Sequence, residues 1–202
     1  MRTDQFLPGI YDREITLAAL DWRWGDNSNK DGLIFLCQLA AALPGPIVEI
    51  GTYRGRTTYN LALNSHDRVY TIDIGAPVAA EAAANKESMA YPEYSPGEVF
   101  LNARQDVRDR IELIIGDSSK IDLSHLAGKA AMVIVDAGHS YEGCLQDSRT
   151  AFKLARAGGI ILWDDYGGDY WPGVKKAVDE LAESRALAYL PRENFIAYRN
   201  AA

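Results

Sequence analysis

Short apolar runs that end in acidic residues constrain the fold of this chain more than any other feature. Residues 132–135 (MVIV) lead into Asp136, and residues 160–163 (IILW) lead into Asp164 and Asp165. Continuous apolar runs of this length, separated by amphipathic stretches, are typical of strands that are buried on both faces of a parallel sheet. Because the carboxyl ends of parallel strands meet at one edge of a sheet, we expect these carboxylates to gather there.

Extended and helical segments alternate along the rest of the chain. Strands are predicted at 47–50, 69–74, 111–115, 131–135 and 160–163, and helices at 28–43, 57–63, 98–107, 142–157 and 174–185. Residues 187–190 and 195–198 are predicted to form a closing β-hairpin. With right-handed crossovers, these elements form a doubly wound, Rossmann-like α/β fold. Its seven-stranded sheet is mostly parallel and ends in the antiparallel hairpin.

The length of 202 residues predicts a single domain over 1–202. Residues 1–27 form an irregular N-terminal extension rich in aromatic residues, which cover either the domain or a partner subunit in a homodimer. Residues 75–97 interrupt the alternation on the ligand side of the sheet. This insertion is either a mobile lid that walls a substrate or a surface helix with a loop.

Charge and composition argue against several classes of protein. The net charge is −7 and the isoelectric point is about 5.0, whereas a general nucleic-acid binder needs a basic surface. No apolar run is long enough to span a membrane, and the start of the chain lacks the layout of a signal peptide. Cys37 and Cys144 fit neither a disulfide framework nor a zinc site, so we expect inward-packing thiols in a reducing cytoplasm.

The turn after the first predicted strand has the residues of a cofactor-binding loop. Gly51 and Gly55 bracket the turn, where glycine allows close approach of the backbone to a ligand. The following helix offers free N–H groups. Tyr53 stands where a dinucleotide loop requires its second glycine, and Glu49 repels phosphate but suits an ammonium group. The loop therefore disfavours a dinucleotide.

Acidic residues after the second and third predicted strands extend this pocket. Asp73 ends the second strand, from which a carboxylate can hold both ribose hydroxyls. Asp117 and Ser118 follow the third strand and can meet an adenine edge. Together these groups favour a nucleoside with a cationic amino-acid tail. Ordinary strand-end acids and turn glycines remain the alternative interpretation of each one.

Four segments resemble a known family. Residues 48–57 (VEIGTYRGRT) resemble the first motif of class I S-adenosylmethionine-dependent methyltransferases, especially the catechol and caffeoyl-CoA O-methyltransferase branch, in which an aromatic residue often replaces the middle glycine. Residues 70–73 match the acidic second motif. Residues 135–141 and 158–166 look like the metal-binding half of that branch, and they are also close to small bacterial O-methyltransferases that act on sugars and natural products. The resemblance covers roughly residues 47–198.

The resemblance assigns a role to each candidate residue. It implies a cofactor site for S-adenosylmethionine that contains Glu49, Gly51, Thr52, Tyr53, Gly55, Asp73, Asp117 and Ser118. It implies a divalent metal site made of Asp136, Asp164 and Asp165. Asp165 departs from the catechol enzymes, which carry Asn there, and their catalytic lysine is not visible. His139 stands near the place of that lysine.

These residues suit O-methylation assisted by a metal ion. Oxygen-only ligands favour Mg²⁺, Mn²⁺ or Ca²⁺, and such an ion lowers the pKa of a substrate hydroxyl. His139 and Asp136 are the candidate catalytic residues, with His139 as general base. Alternatively, His139 positions the substrate or caps a turn, and Asp136 caps the next helix.

The predicted function is methyl transfer from S-adenosylmethionine to a hydroxyl of a small molecule, either a catechol-like phenol or a sugar ring of a natural product. One alternative is a metal-independent methyltransferase that acts on nitrogen or carboxylate. Another is a nicotinamide-dependent oxidoreductase. The absence of a G-x-G-x-x-G motif argues against this alternative. A nucleoside-binding or assembly module without catalysis is the third.

Overall fold

A computed structural model describes residues 3–18, 30–75, 94–167 and 169–201 of the chain. Strands β1 to β7 span Ile47–Ile50, Val69–Asp73, Ile111–Ile115, Ala130–Val135, Ala155–Trp163, Ala188–Leu190 and Phe195–Arg199. Helices α1 to α7 span Thr3–Phe6, Lys30–Ala42, Arg56–Asn64, Glu98–Leu101, Gln105–Arg108, Tyr141–Leu154 and Pro172–Ala182. Short 3₁₀ turns lie at Ile10–Asp12 and Ser124–Leu126.

The strands form one seven-stranded sheet in the order β3-β2-β1-β4-β5-β7-β6. Strands β1 to β5 pair in parallel, and β7 runs antiparallel to both of its neighbours. The predicted doubly wound sheet with an antiparallel hairpin is therefore confirmed. The chain moves outward in one direction from β1 to β3 and then restarts beside β1 with β4. Ligands of open α/β sheets bind at such a reversal of strand order.

The core lies on both faces of the sheet because the central strands are apolar on both sides. Val48 and Val133 face a cluster that α6 and α7 cover, whereas Ile47 and Ile134 face a cluster that α2 and α3 cover. All four side chains are at most 1% exposed. Packing on both faces leaves the loops at the strand ends as the place where polar side chains can gather.

Three predicted helices differ from the structure, and one of them, predicted at 174–185, spans Pro172–Ala182. The helix predicted at 98–107 is instead two short helices, α4 and α5, each held by one buried side chain, Phe100 and Val107 respectively. The helix predicted at 142–157 ends at Leu154, because Ala155 already pairs with Ala130 as the first residue of β5. Gly158 and Gly159 consequently lie within a strand rather than at a helix end.

The described part of the N-terminal extension packs on its own domain. The backbone N–H groups of Thr16 and Ala18 donate to the side-chain oxygens of Asn64 and Asn60 on α3, each at 2.8 Å. Trp22, Trp24, the helix cap predicted at Ser28 or Asn29, and residues 76–93 of the predicted insertion lie outside the described residues. The single-domain organisation stays a prediction.

Two smaller predictions concern the thiols and the membrane. Cys37 and Cys144 are free and buried, at 0% and 1% exposed, which confirms the prediction of inward-packing thiols. Among the described helices, none has the length and apolar character needed to cross a membrane.

Candidate active site

The loop between β1 and α3 is built on backbone that glycine favours. Gly51 has a φ of +110°, and a Cβ placed on it would lie 1.8 Å from the carbonyl oxygen of Asp136. Gly55 has a φ of +85° and caps α3. Tyr53 between them also lies in the left-handed region, with a φ of 48°. The first glycine is therefore required, because the loop touches the end of β4.

The C-terminal end of the predicted insertion and the residues directly after it hold this loop in place. The backbone N–H of Gly97 donates to the carbonyl of Tyr53 at 2.9 Å, and that of Val99 donates to the carbonyl of Arg54 at 2.9 Å. Arg54 also forms an ion pair with Glu98 at 2.9 Å. The described end of the insertion thus packs on the candidate cofactor loop.

Glu49 is a buried carboxyl group at the end of β1, with 1% of its surface exposed. Its Oε2 accepts hydrogen bonds from the hydroxyls of Thr58 and of Thr71, the second at 2.7 Å. Thr71 is in turn 2.7 Å from the hydroxyl of Thr52. Burial raises the pKa of Glu49 to about 7, and the nearby Asp73 adds to this effect. Such a carboxyl group favours any cation that replaces its lost solvation.

Asp73 ends β2 with its carboxylate already oriented. Oδ2 accepts from the backbone N–H of Tyr53 at 2.9 Å, and Oδ1 accepts from the backbone N–H of Gly75 at 2.8 Å. The hydroxyl of Tyr94 also donates to Oδ1, at 3.2 Å, and its ring lies 4.9 Å from that of Tyr53. The carboxylate therefore faces a tyrosine hydroxyl, which has the hydrogen-bonding chemistry of a ribose hydroxyl.

Asp117 and Ser118 follow β3 and differ in their partners. The carboxylate of Asp117 accepts from the backbone and hydroxyl of Ser119, and it pairs with Lys120 at 2.7 Å. These bonds, first that from Lys120, lower the pKa of Asp117 to about 2. The hydroxyl of Ser118 instead donates to the buried Asp147 of α6. The adenine role predicted for both residues stays a prediction.

An acidic cluster lies where β4 and β5 end. One ligand atom each from Asp136, His139 and Asp165 lies within 4.8 Å of the others. Nε2 of His139 is 2.8 Å from Oδ2 of Asp165, and Oδ1 of Asp164 accepts from the backbone N–H of Asp165 at 2.8 Å. The structure thus brings His139 into the group, which does not include Asp164. Metal binding by the predicted Asp136, Asp164 and Asp165 stays a prediction.

The surroundings of Asp136 disfavour its negatively charged form. Burial raises the pKa of Asp136 well above its ordinary value, and the charges of Asp164, Asp165 and Glu49 raise it further. Arg56 at the start of α3 acts in the opposite direction. Asp165 has a φ of 62°, a region that Asp and Asn tolerate better than most residues. Either residue therefore suits this backbone position.

The ring of His139 is fixed on two sides. It stacks on Trp171 with centroids 4.0 Å apart and planes at 19°, while Nε2 contacts Asp165. Nδ1 is buried and has no hydrogen-bond partner within the described ranges. Trp171 therefore packs on the candidate base, whereas its neighbour Tyr170 is 89% exposed. These two contacts, with Trp171 and Asp165, orient the ring.

Sequence reasoning missed three residues of this region. Arg56 and Tyr94 carry no local signal of the carboxylates that they meet. Asp147 does carry one, because it lies between Cys144 and Ala151 on the buried face of α6, where a charged residue is unusual. A buried acid at that helical spacing could have been identified as a residue with a specific partner.

One comparison with known proteins identifies a family. A family model described as a methyltransferase domain matches residues 48–166. Comparison with curated proteins gave no significant match.

Among solved structures, the O-methyltransferase NovP is 19% identical to this chain. The match covers 84% of this chain and 79% of the NovP chain, with a TM-score of 0.59. TomG, an O-methyltransferase from Streptomyces achromogenes solved with SAM and involved in tomaymycin synthesis, is 21% identical, with coverages of 88% and 82% and a TM-score of 0.57. A proposed rRNA methylase from Clostridium thermocellum is 17% identical, with coverages of 88% and 97% and a TM-score of 0.61. At these identities the likeness establishes the fold alone.

Proposed function

Because this chain belongs to the family of methyltransferase domains, we propose that it transfers a methyl group from S-adenosylmethionine to a hydroxyl of a small molecule with the help of a divalent cation. The family match over residues 48–166 and the sheet order bear out the class I resemblance. The observation that carries the finer proposal is the acidic cluster of Asp136, His139 and Asp165 beside the loop that contains Gly51.

The loops after β1 and β2 suit a nucleoside with an amino-acid tail. Glu49, whose pKa is raised to about 7 by burial, gains most from a ligand that brings an ammonium group next to it. Asp73 is aimed by the N–H groups of Tyr53 and Gly75, so its remaining lone pairs can accept from ribose hydroxyls. TomG, which has the same fold, was solved with SAM bound.

The acidic cluster fits a hard divalent cation. Burial and then repulsion from the neighbouring carboxylates raise the pKa of Asp136, and a cation bound by Asp136, Asp164 and Asp165 would relieve that repulsion. Carboxylate oxygens are the donors that Mg²⁺, Mn²⁺ and Ca²⁺ prefer. A bound divalent cation lowers the pKa of a hydroxyl group placed against it.

His139 is the proposed base that removes the proton of the acceptor hydroxyl. If Nε2–H donates to Asp165, Nδ1 carries the free lone pair, and Nδ1 is the buried nitrogen without a partner in the described part of the chain. Trp171 holds the ring plane by stacking. An imidazole held in one tautomer with an unshared lone pair has the acid–base chemistry that a general base needs.

The proposed acceptor is a small hydroxylated molecule, either a catechol-like phenol or a sugar ring. TomG acts in the synthesis of a natural product, which favours an acceptor of that kind. The rRNA methylase likeness concerns the fold alone, and the net charge of −7 disfavours an RNA acceptor. A homodimer and a cytoplasmic location remain predictions from the sequence.

A second candidate is metal-independent transfer to nitrogen or carboxylate. The observation that favours it is the pairing of His139 with Asp165 at 2.8 Å, which is an acid–base pair in its own right. Nicotinamide chemistry is less favoured, since Tyr53 with a φ of 48° occupies the position of the second glycine.

Cofactor choice is tested first by calorimetric titration with S-adenosylhomocysteine, with NAD⁺ in a parallel cell. We expect micromolar binding of S-adenosylhomocysteine and none of NAD⁺. Binding of NAD⁺ without binding of S-adenosylhomocysteine would mean that the site takes a nicotinamide cofactor. Binding of neither compound would remove the basis for the roles of Glu49 and Asp73.

Metal dependence is tested by Asp164→Ala, with a catechol and a deoxysugar nucleotide as acceptor probes. We expect Mg²⁺-dependent turnover to be lost, because a ligand carboxylate is missing, while S-adenosylhomocysteine binding changes less than about twofold. Asp164→Asn is the matched variant, because its amide oxygen can still accept from the backbone N–H of Asp165. Unchanged turnover in Asp164→Ala, or in excess chelator, would contradict the metal role and favour the second candidate.

A further inference from the structure

Asp147 is a buried carboxylate for which the proposed reaction has no use. It lies on α6 and is 8% exposed. Its Oδ1 accepts from the hydroxyl of Ser118, in the loop after β3, and its Oδ2 accepts from the backbone N–H of Gly138, in the loop after β4, at 3.3 Å. Burial raises the pKa of Asp147. One carboxylate thus joins two loops that belong to different parts of the site.

Further contacts bring both loops onto the same helix. The hydroxyl of Thr150, one turn after Asp147, donates to the carbonyl of Ser118 at 3.3 Å. A Cβ placed on Gly138 would lie 3.2 Å from the Cα of Gly143, so this loop is packed tightly against α6. Neither loop can shift on α6 without loosening a hydrogen bond of Asp147.

We infer that Asp147 is a positioning residue, which ties the nucleoside end of the cofactor site to the loop that carries Asp136 and His139. The inference rests on the proposed function, which assigns the loop with Ser118 to cofactor binding and the loop with Asp136 and His139 to the reaction. Each oxygen of the carboxylate serves one loop, and a buried donor that loses its acceptor is costly. An ordered loop at Ser118 therefore favours an ordered loop at Gly138, and a ligand that orders the first also orders the second.

The test compares Asp147→Ala with Asp147→Asn. Hydrogen exchange of the segments 116–119 and 136–140 is measured with and without S-adenosylhomocysteine, and calorimetry gives the Kd. In the wild-type protein, we expect the ligand to slow exchange in both segments. In Asp147→Ala, we expect faster exchange in both segments of the free protein, a Kd about tenfold higher and no slowing at 136–140.

Asp147→Asn should restore most of this behaviour. The amide oxygen can accept from the N–H of Gly138, and the amide NH₂ can donate to the hydroxyl of Ser118, which is able to accept. We expect its Kd to lie within about threefold of the wild-type value. Ser118→Ala removes the hydroxyl that donates to Asp147. We expect this variant also to lose the ligand-dependent slowing of hydrogen exchange at 136–140.

Ser148→Ala is the control for a merely structural loss on the same helix. Ser148 is fully buried, but its hydroxyl contacts the carbonyl of Cys144 and the indole N–H of Trp163, and its contacts reach neither loop. We expect a lower Tm with wild-type exchange at both segments.

Three results would overturn the inference. The first is slowing at 136–140 that persists in Asp147→Ala, since the ligand would then order that segment directly. The second is Asp147→Asn behaving like Asp147→Ala, and the third is Ser148→Ala reproducing the loss. Failure of the wild-type protein to bind S-adenosylhomocysteine would instead remove the proposed function, while the exchange rates of the free variants would still test the connection between the loops.

Discussion

The two sides of the site hold their carboxylates in opposite ways. On the side of β1 to β3, neighbouring donors already surround the acids. Glu49 accepts from two threonine hydroxyls, Asp73 from two backbone N–H groups and a tyrosine, and Asp117 from Ser119 and Lys120. These donors orient each carboxylate before any ligand arrives.

On the side of β4 and β5, carboxylates face one another. The pKa of Asp136 is raised by burial and by the charges of Asp164, Asp165 and Glu49, with Arg56 opposing them. Protein donors orient the first side, whereas the second side contains repulsion that a bound cation would relieve. The difference teaches that protein donors alone orient the carboxylates of the first side, called the nucleoside side because we propose that the nucleoside binds there. On the second side, called the acidic side, relief of the repulsion depends on the proposed cation.

The sharpest way to break this comparison is Gly51→Ala, because Gly51 lies on the boundary between the sides. A Cβ there would be 1.8 Å from the carbonyl oxygen of Asp136, at a φ of +110°. We expect the free energy of unfolding to fall by about 3 kcal/mol or more, with ligand binding impaired on both sides. Chemical denaturation and calorimetry with S-adenosylhomocysteine measure the two effects.

Gly128→Ala is the matched control for that experiment. Gly128 also has a positive φ, of +65°, but nothing lies within 4 Å of the position of an added Cβ. We expect a loss of only about 1 kcal/mol, from backbone strain alone. Equal losses in the two variants would mean that the close approach of Gly51 to β4 is unimportant.

A smaller effect is expected from Glu49→Gln, which tests the nucleoside side alone. The pKa of Glu49 in the free protein is about 7, so the group is neutral at lower pH, whereas a ligand ammonium favours the carboxylate. Calorimetry should therefore give S-adenosylhomocysteine affinity that rises from about pH 6 to about pH 8 in the wild-type protein. In Glu49→Gln, the affinity should be about tenfold lower at the upper pH and nearly independent of pH.

The stability of the same variant checks the sign of the pKa shift. Since folding raises the pKa of Glu49 above its ordinary value, the folded state holds the proton more tightly, and stability falls as pH rises towards about 7. Glu49→Gln lacks this loss, so its Tm should exceed the wild-type Tm by more at high pH than at low pH. A constant difference in Tm, or affinity that falls with pH, would contradict the buried, titrating carboxyl group.

The sequence predicted the fold well because its signals are local. The apolar runs at 47–50, 111–115 and 131–135 coincide with β1, β3 and β4 within one residue. The end of α6 was predicted wrongly because residues 155–157 suit a helix by themselves. Pairing of Ala155 with Ala130 decides otherwise, and it lies beyond any local pattern.

The features of the candidate site also divide into those that have a local sequence signal and those that do not. Residues at the strand ends, such as Asp73 and Asp136, were identified because a strand end is visible in the sequence. The pairs that these and other site residues form were not predicted, because the two members of each pair come from distant parts of the chain. The two residues of the Tyr94–Asp73, Asp147–Ser118 and His139–Asp165 pairs are 21, 29 and 26 positions apart, respectively. Only the crossovers of the folded sheet bring them together.

The smallest expected effect sharpens the nucleoside side of the comparison. The Tyr94 hydroxyl donates to Oδ1 of Asp73 at 3.2 Å, and its ring lies 4.9 Å from that of Tyr53. If this hydroxyl holds the place of a ribose hydroxyl, a ligand must displace it, and Tyr94→Phe should lower the Kd for S-adenosylhomocysteine about two- to threefold. Tyr198→Phe, on β7, should leave the Kd unchanged. A higher Kd in Tyr94→Phe would mean that the hydroxyl stays beside the bound ligand, so that Asp73 would be oriented by three protein donors in both states.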